Sequence, residues 1–254
     1  MSVPIVLSHG LLGAYHLTVN RLVRAAYYGG IKEAFRAAGH QVVFPEVPGM
    51  ASVSRRAAAL AEQIDVATKS PVMIIAHSMG GLDARHMITH LGFGRRVIAL
   101  ATIATPHRGS SFADWGVGEL GKRLRVLEIL SALRIEHAGL EDLTSEACRV
   151  FNARTPDDPS VTYVSVTGVR ARHEVCPLLR IPHAIIASRE GPNDGLVSVE
   201  SARWGRFLGT WPADHIAQVN LPTGARWLGR RVPDPIPWYQ KLLDDMVRLA
   251  NASD

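Results

Sequence analysis

The chain has 254 residues, 47% of them hydrophobic and 20% charged, with a formal net charge of +5, which predicts a globular protein of one α/β domain with a full core. No apolar run approaches the roughly 18 residues of a membrane span, and no cationic and apolar leader opens the chain, so it reads as cytoplasmic or as a mature secreted form without its leader. The basic residues come as scattered pairs (Arg55-Arg56, Arg95-Arg96, Lys122-Arg123, Arg230-Arg231) without aromatics between them or any nucleic-acid motif; they predict a solvated basic surface, with weak attraction to anionic interfaces as the sharper alternative and no nucleic-acid partner.

The first apolar run, 3–8 (VPIVLS), predicts a strand, and SHGLLG (8–13) ends it in a glycine turn. Ile31, Ala34, Phe35 and Ala38 recur at helical spacing, followed by a β-rich run at 41–47 (QVVFPEV). A second helical stripe holds Val53, Ala57, Leu60, Ala61 and Ile64. Residues 71–77 (PVMIIAH) form another apolar run, with Ala84, Met87, Ile88 and Leu91 as the helical stripe behind it. Runs at 96–104 (RVIALATIA) and 161–167 (VTYVSVT) complete the strands, and Leu242, Leu243, Met246, Val247 and Ala250 mark a last helix. The strand runs are continuous rather than alternating, as expected when both faces are covered. Strand–helix alternation of this kind predicts a mostly parallel sheet with helices on both faces. The alternation lapses between about 108 and 160, where Leu120 to Leu133 reads as a helix with Val126, Leu127, Leu130 and Leu133 on one stripe. An insertion after a strand's C-terminal end is where such folds carry substrate-shaping elements. The expectation is one domain, 1–254, with a helical cap or lid insertion at about 110–160. Cys148 and Cys176 are too few for a disulfide framework, and read as one bridge or as two buried thiols.

At the end of run 71–77 stands A-x-S-x-G: Ala76, His77, Ser78, Met79, Gly80. A serine on a sharp strand-to-helix turn needs small residues two before and two after it, because strand and helix nearly touch there. Such a turn aims the Met79 N–H, at a helix start, into the space above the serine, where it can stabilise an oxyanion. The plainer role for Ser78 is a helix N-cap. A second oxyanion donor is offered by SHGLLG, in the Leu11 N–H. A serine hydroxyl also needs a base, and the base an orienting carboxylate, in the chain order Ser, Asp or Glu, His. GPNDGLVS (191–198) supplies Asp194 in a tight turn, and PADHIAQVN (212–220) supplies His215, the only histidine after it. Asp214 is the competing acid, but adjacent residues on one loop rarely aim at each other. His9, His77 and His107, near strand ends, are candidates to contact substrate or buttress the site. His86 and His90 have an i, i+4 metal spacing without the Glu of HExxH or an obvious third ligand, so no metal is expected. GVGELG (116–121) matches G-x-G-x-x-G with no strand before it and is read as chance.

With these pieces in order, the sequence resembles the α/β-hydrolase lipases, especially the bacterial triacylglycerol lipase group. The matching stretches are VLSHGLLG, IIAHSMGGLDARH, ATIATPHRGSSFADW, LEDLTSEACRVFN, NDGLVS and DHIAQVN, from residue 6 to residue 220. The resemblance implies the α/β-hydrolase fold and cofactor-free lipase or esterase activity on lipid-like acyl esters through an acyl-enzyme on Ser78. His215 would be the base, Asp194 its orienting acid, Leu11 and Met79 the oxyanion hole, and residues 110–150 the lid. Relatives that bind a structural calcium carry an acidic residue two places after the catalytic His; Ala217 stands there, so calcium is not carried over. A thioesterase or acyltransferase would share the triad and differ in its acyl acceptor. A binding module on this fold would be expected to lack one of Ser78, Asp194 and His215.

Overall fold

The computed structural model describes residues 3–11, 17–18, 24–25, 27–120, 137–221 and 233–252. The strands in chain order are β1 (Ile5–Ser8), β2 (Leu17–Thr18), β3 (Arg24–Ala25), β4 (Val42–Val43), β5 (Val72–His77), β6 (Val97–Ile103), β7 (Thr162–Gly168) and β8 (Arg206–Trp211). Six of them make one sheet in the order β4-β1-β5-β6-β7-β8, every neighbouring pair parallel, while β2 and β3 pair antiparallel on their own. The helices are α1 (Ile31–Ala37), α2 (Val53–Ala67), α3 (Gly80–His90), α4 (Ser111–Asp114), α5 (Ala138–Glu141), α6 (Ser145–Arg154), α7 (Arg180–Arg189), α8 (Val199–Ala202) and α9 (Ile236–Asn251).

Alternate residues of each strand point to opposite faces, and here both faces are buried. Ile5 and Leu7 of β1, Met73 and Ile75 of β5, and Ala99, Ala101 and Ile103 of β6 pack with Phe35 of α1 and Leu242 and Met246 of α9. Val6, Ile74, Ala76 and Leu100 face the other way, onto Leu60 and Ile64 of α2 and Met87 and Ile88 of α3. This is the physical origin of the unbroken apolar runs in the sequence. The register places Ser8 beside Ala76 and His77 beside Ile103, so β1, β5 and β6 end level and their following loops gather at one edge.

Several expectations are corrected. The run 41–47 shortens to Val42–Val43, because Pro45 and Pro48 supply no N–H to a ladder. β8 and α7 were not expected; β8 is an edge strand whose side chains are mostly half-exposed, so it shows no apolar run. The bridge alternative for the cysteines does not hold: Cys148 and Cys176 are buried and free. Nor is Arg56 part of a solvated basic surface, being wholly buried beside Asp83. Of the helix expected at 120–133, residues 121–133 lie outside the described residues. Residues 137–154 pack into the body: Cys148 is buried with Met79 and Leu82, and Ser145 binds Asp114 through its N–H (2.8 Å) and hydroxyl (2.6 Å).

Candidate active site

The sharp turn between β5 and α3 is built as its small residues require. Ser78 has φ 55, left-handed backbone that costs a non-glycine residue about 1–3 kcal/mol and persists only where its surroundings impose it. The Ser78 N–H donates to Ile103 O at 2.8 Å, and Ser78 O accepts from the Thr105 hydroxyl at 2.7 Å and the Gly81 N–H at 3.1 Å. A Cβ on Gly80 would lie 2.8 Å from His9 O, and one on Gly81 would overlap the Thr105 side chain. A Cβ on Gly10 would stand 2.7 Å from Ser78 Cβ. The paired glycines after Met79 and the glycine after His9 are thus the clearance that lets β1, β5 and α3 converge on one serine.

Asp194 and His215 meet on neighbouring loops. Asn193 shapes the first turn, its Oδ1 accepting the Gly195 N–H at 2.9 Å, and Gly195 takes φ 107, which suits glycine. The Asp194 carboxylate is fully buried and held from four sides. Oδ1 accepts the N–H groups of Leu196 (3.0 Å) and Val197 (2.9 Å); Oδ2 accepts Gln218 Nε2 (2.8 Å) and lies 2.7 Å from His215 Nδ1. A carboxylate only accepts, so the Asp194 contact assigns the proton to Nδ1 and leaves Nε2 as the acceptor a general base needs. The His215 N–H donates to Asp194 O at 2.9 Å, which joins the loops a second time. The His215 ring lies against His77, the residue before Ser78, with centroids 4.5 Å apart. The rival acid, Asp214, is turned away: it accepts the N–H groups of Cys176, Ile216 and Ala217 at 2.8, 3.1 and 2.8 Å.

The loop after β1 is held from beneath by Arg56. Its guanidinium donates to the carbonyls of His9 (2.8 Å), Gly10 (3.2 Å), Pro48 (2.9 Å) and Gly49 (3.2 Å), and Nε donates to Asp83 at 2.9 Å. Gly10 O and Leu11 N–H belong to one trans peptide and point opposite ways, so pinning the carbonyl aims the N–H away from Arg56. Leu11 and Met79 pack in the same apolar cluster, with Leu82, Cys148, Leu143 and Phe151. Burial pushes the Asp83 carboxyl up to about 7 although Arg56 pulls it down, and pushes the Cys148 thiol up to about 12.

Comparison with known proteins gives this geometry a family. The model of the PGAP1-like alpha/beta domain matches residues 38–186. The chain is 32% identical over 253 residues to "Triacylglycerol lipase 2" of Saccharomyces cerevisiae, covering 89% of this chain and 75% of that protein. The chain belongs to the PGAP1-like alpha/beta-domain family. It is an ester-hydrolysing enzyme of the lipase and esterase kind. It is also 26% identical over 284 residues to "Triacylglycerol lipase" of Pseudomonas fragi, with 93% of each chain covered. Solved structures share the fold: a metagenomic carboxyl esterase (TM-score 0.77, 21% identity, 99% of this chain and 76% of that one) and Staphylococcus hyicus lipase (TM-score 0.75, 19% identity, 98% and 96%).

In this lipase/esterase the other expected residues fall in distinct places. His9 is wholly buried, with Nδ1 2.9 Å from Gly10 O and Nε2 accepting the Val47 N–H at 3.1 Å; burial lowers it to about 4. His107 is wholly buried too, its Nε2 3.0 Å from the Thr102 hydroxyl and its ring stacked on Trp204. Both rings are buried and engaged within the framework, which fits the buttressing alternative better than substrate contact. Only His77 of the three touches the Asp194–His215 pair. His86 and His90 face each other at 4.6 Å, and among the described residues no group of three metal-binding side chains forms. Gln218, Thr105 and Tyr27 carry no motif in the sequence, and Arg56 stands there only as half of a basic pair; the i+3 spacing of Gln218 from His215 is its one available signal.

Proposed function

We propose that Ser78, His215 and Asp194 form the catalytic triad, with the N–H groups of Leu11 and Met79 as the oxyanion hole. Ser78 Oγ attacks the ester carbonyl as His215 Nε2 takes its proton; Asp194 holds the ring and balances the imidazolium. The two N–H groups receive the negative oxygen, favoured by the start of α3 behind Met79. His215 then protonates the leaving alcohol, and later activates the water that frees the acid and regenerates Ser78. The observation that carries this reading is the four-sided hold on Asp194, which fixes His215 against the neighbour of a strained serine.

The substrate class follows from two supports. The relatives carry the name triacylglycerol lipase, and the proposed oxyanion residues sit in an apolar cluster with Leu143 and Phe151. Each CH₂ buried against such a surface contributes about 0.8 kcal/mol. We therefore read the substrate as a lipid-like acyl ester met at a lipid surface, with the insertion between β6 and β7 as its cap on a single domain. Among the described residues no helix is long and apolar enough to cross a membrane. Hydrolysis of p-nitrophenyl esters from acetate to palmitate, with Ser78→Ala beside the wild type, tests this. Turnover that rises with chain length and vanishes in the variant is expected. Turnover confined to acetate and butyrate would replace the lipid reading with a short-chain esterase, and turnover retained by Ser78→Ala would refute the triad.

A further inference from the structure

One buried pair outside the triad links the oxyanion loop to the proposed base. Tyr27 lies in the turn before α1; its hydroxyl oxygen accepts the Gly10 N–H at 3.0 Å and stands 2.5 Å from His77 Nδ1. A phenol has a single proton, and this contact directs it to Nδ1. His77 then carries its own proton on Nε2, and burial, with the nearby His215, holds the ring uncharged. That Nε2–H is buried beside the His215 backbone without a well-formed hydrogen bond, and the ring faces His215 at 4.5 Å. The next residue extends the linkage: the Tyr28 N–H donates to Val219 O at 3.1 Å, in the turn that follows His215, and its hydroxyl donates to Ser8 O at 2.8 Å. A phenylalanine at 27 would fill the same space. What the hydroxyl adds is direction, because it is used twice, once on each side of Ser78.

We propose that Tyr27 and His77 are positioning residues of the ester hydrolysis: the Tyr27 hydroxyl clamps Gly10, and with it the Leu11 N–H, to the residue preceding Ser78, while His77 gives His215 a fixed flank. This inference rests on the triad proposed above. Neither side chain contacts substrate; both act through the groups that do.

The test is kinetic, on Tyr27→Phe, His77→Asn, His77→Leu and the Tyr27→Phe/His77→Leu pair, with Ser78→Ala in parallel. His77→Asn keeps an acceptor for the phenol and His77→Leu does not. Tyr27→Phe should lower kcat by about 10- to 100-fold with KM within about twofold, because a loop misplaced by a fraction of an ångström weakens the transition state more than the ground state. The inhibition constant of an alkyl boronic acid, which mimics the tetrahedral state, should rise in step with the loss in kcat/KM. His77→Asn should retain more activity than His77→Leu, and the pair should be no worse than His77→Leu alone. If Tyr27→Phe does not fold, the ranking of the two His77 variants decides. Wild-type kcat and inhibitor affinity in Tyr27→Phe, or equal activity in the two His77 variants, beside an inactive Ser78→Ala, would overturn this inference and leave the triad intact. Turnover by Ser78→Ala would overturn the triad, and the inference with it.

Discussion

Arg56→Leu should damage stability and turnover through different contacts, and a second substitution should separate the two. Arg56 and Asp83 are both fully buried, 2.8 Å apart at closest, and the guanidinium also serves four backbone carbonyls. Removing Arg56 leaves Asp83 to stay charged and unpaired or to take up a proton, and strips four carbonyls of their donor, a loss of about 3–5 kcal/mol. For a chain of this size each kcal/mol shifts Tm by about 2–4 °C, so a fall of about 6–20 °C is expected. Turnover suffers separately, because the Gly10 carbonyl is no longer pinned and the Leu11 N–H loses its aim. Loss of one oxyanion donor costs about 10²- to 10³-fold in kcat. In Arg56→Leu/Asp83→Leu the stranded carboxyl is gone, so part of the stability returns, while the four carbonyls stay without their donor. The carbonyl remains unpinned, so kcat stays low. Thermal melts and kcat on p-nitrophenyl butyrate, measured on both variants, read the two effects. A double variant that regains turnover along with stability would refute the aiming role of Arg56.

Asp194→Asn should cut kcat by about 10⁴-fold, since an amide no longer selects the base tautomer of His215; activity within tenfold of wild type would contradict the orientation argument. Gly10→Ala places a Cβ 2.7 Å from Ser78 Cβ and 3.1 Å from its hydroxyl, so about a tenfold or greater loss in kcat/KM is expected, checked by steady-state kinetics beside circular dichroism to confirm folding. Stability should fall as pH drops below 6.5. The unfolded chain takes up protons there, while His9 (about 4), His77 and His107 stay neutral in the fold because burial holds them down. Each contributes up to about 1.4 kcal/mol per pH unit, partly offset by Asp83, whose raised carboxyl gains its proton sooner in the fold. Urea melts at pH 7.5, 6.5 and 5.5 read this directly, and a flat or rising profile would contradict it.

Where chemistry and burial coincide along the chain, the sequence was readable. Runs such as 72–76 are apolar at every position because both faces of β5 are covered, and A-x-S-x-G marks the turn because only small residues clear its crossing. The pairing of Asp194 with His215 is legible without distances, as His215 is the only histidine after Asp194. β8 is not legible in the sequence because an edge strand half-exposed on both sides carries no apolar run. Arg56 is hidden for a different reason: beside exposed Arg55 it looks like a surface pair, and only the fold brings it to carbonyls 46 and 47 residues away. Tyr27 and His77, 50 residues apart, are equally invisible until β1 and β5 lie side by side. His9 and His107 show the converse, since a strand end beside the site can turn its side chain into the framework as readily as toward substrate.

The triad is tested most directly by reacting the enzyme with a p-nitrophenyl alkylphosphonate and mapping the adduct by peptide mass spectrometry. The account predicts one phosphonyl group per chain, on Ser78, with ester turnover lost in proportion, and labelling slowed by orders of magnitude in His215→Ala. Stoichiometric labelling at another residue, or ester turnover that survives complete modification of Ser78, would contradict it.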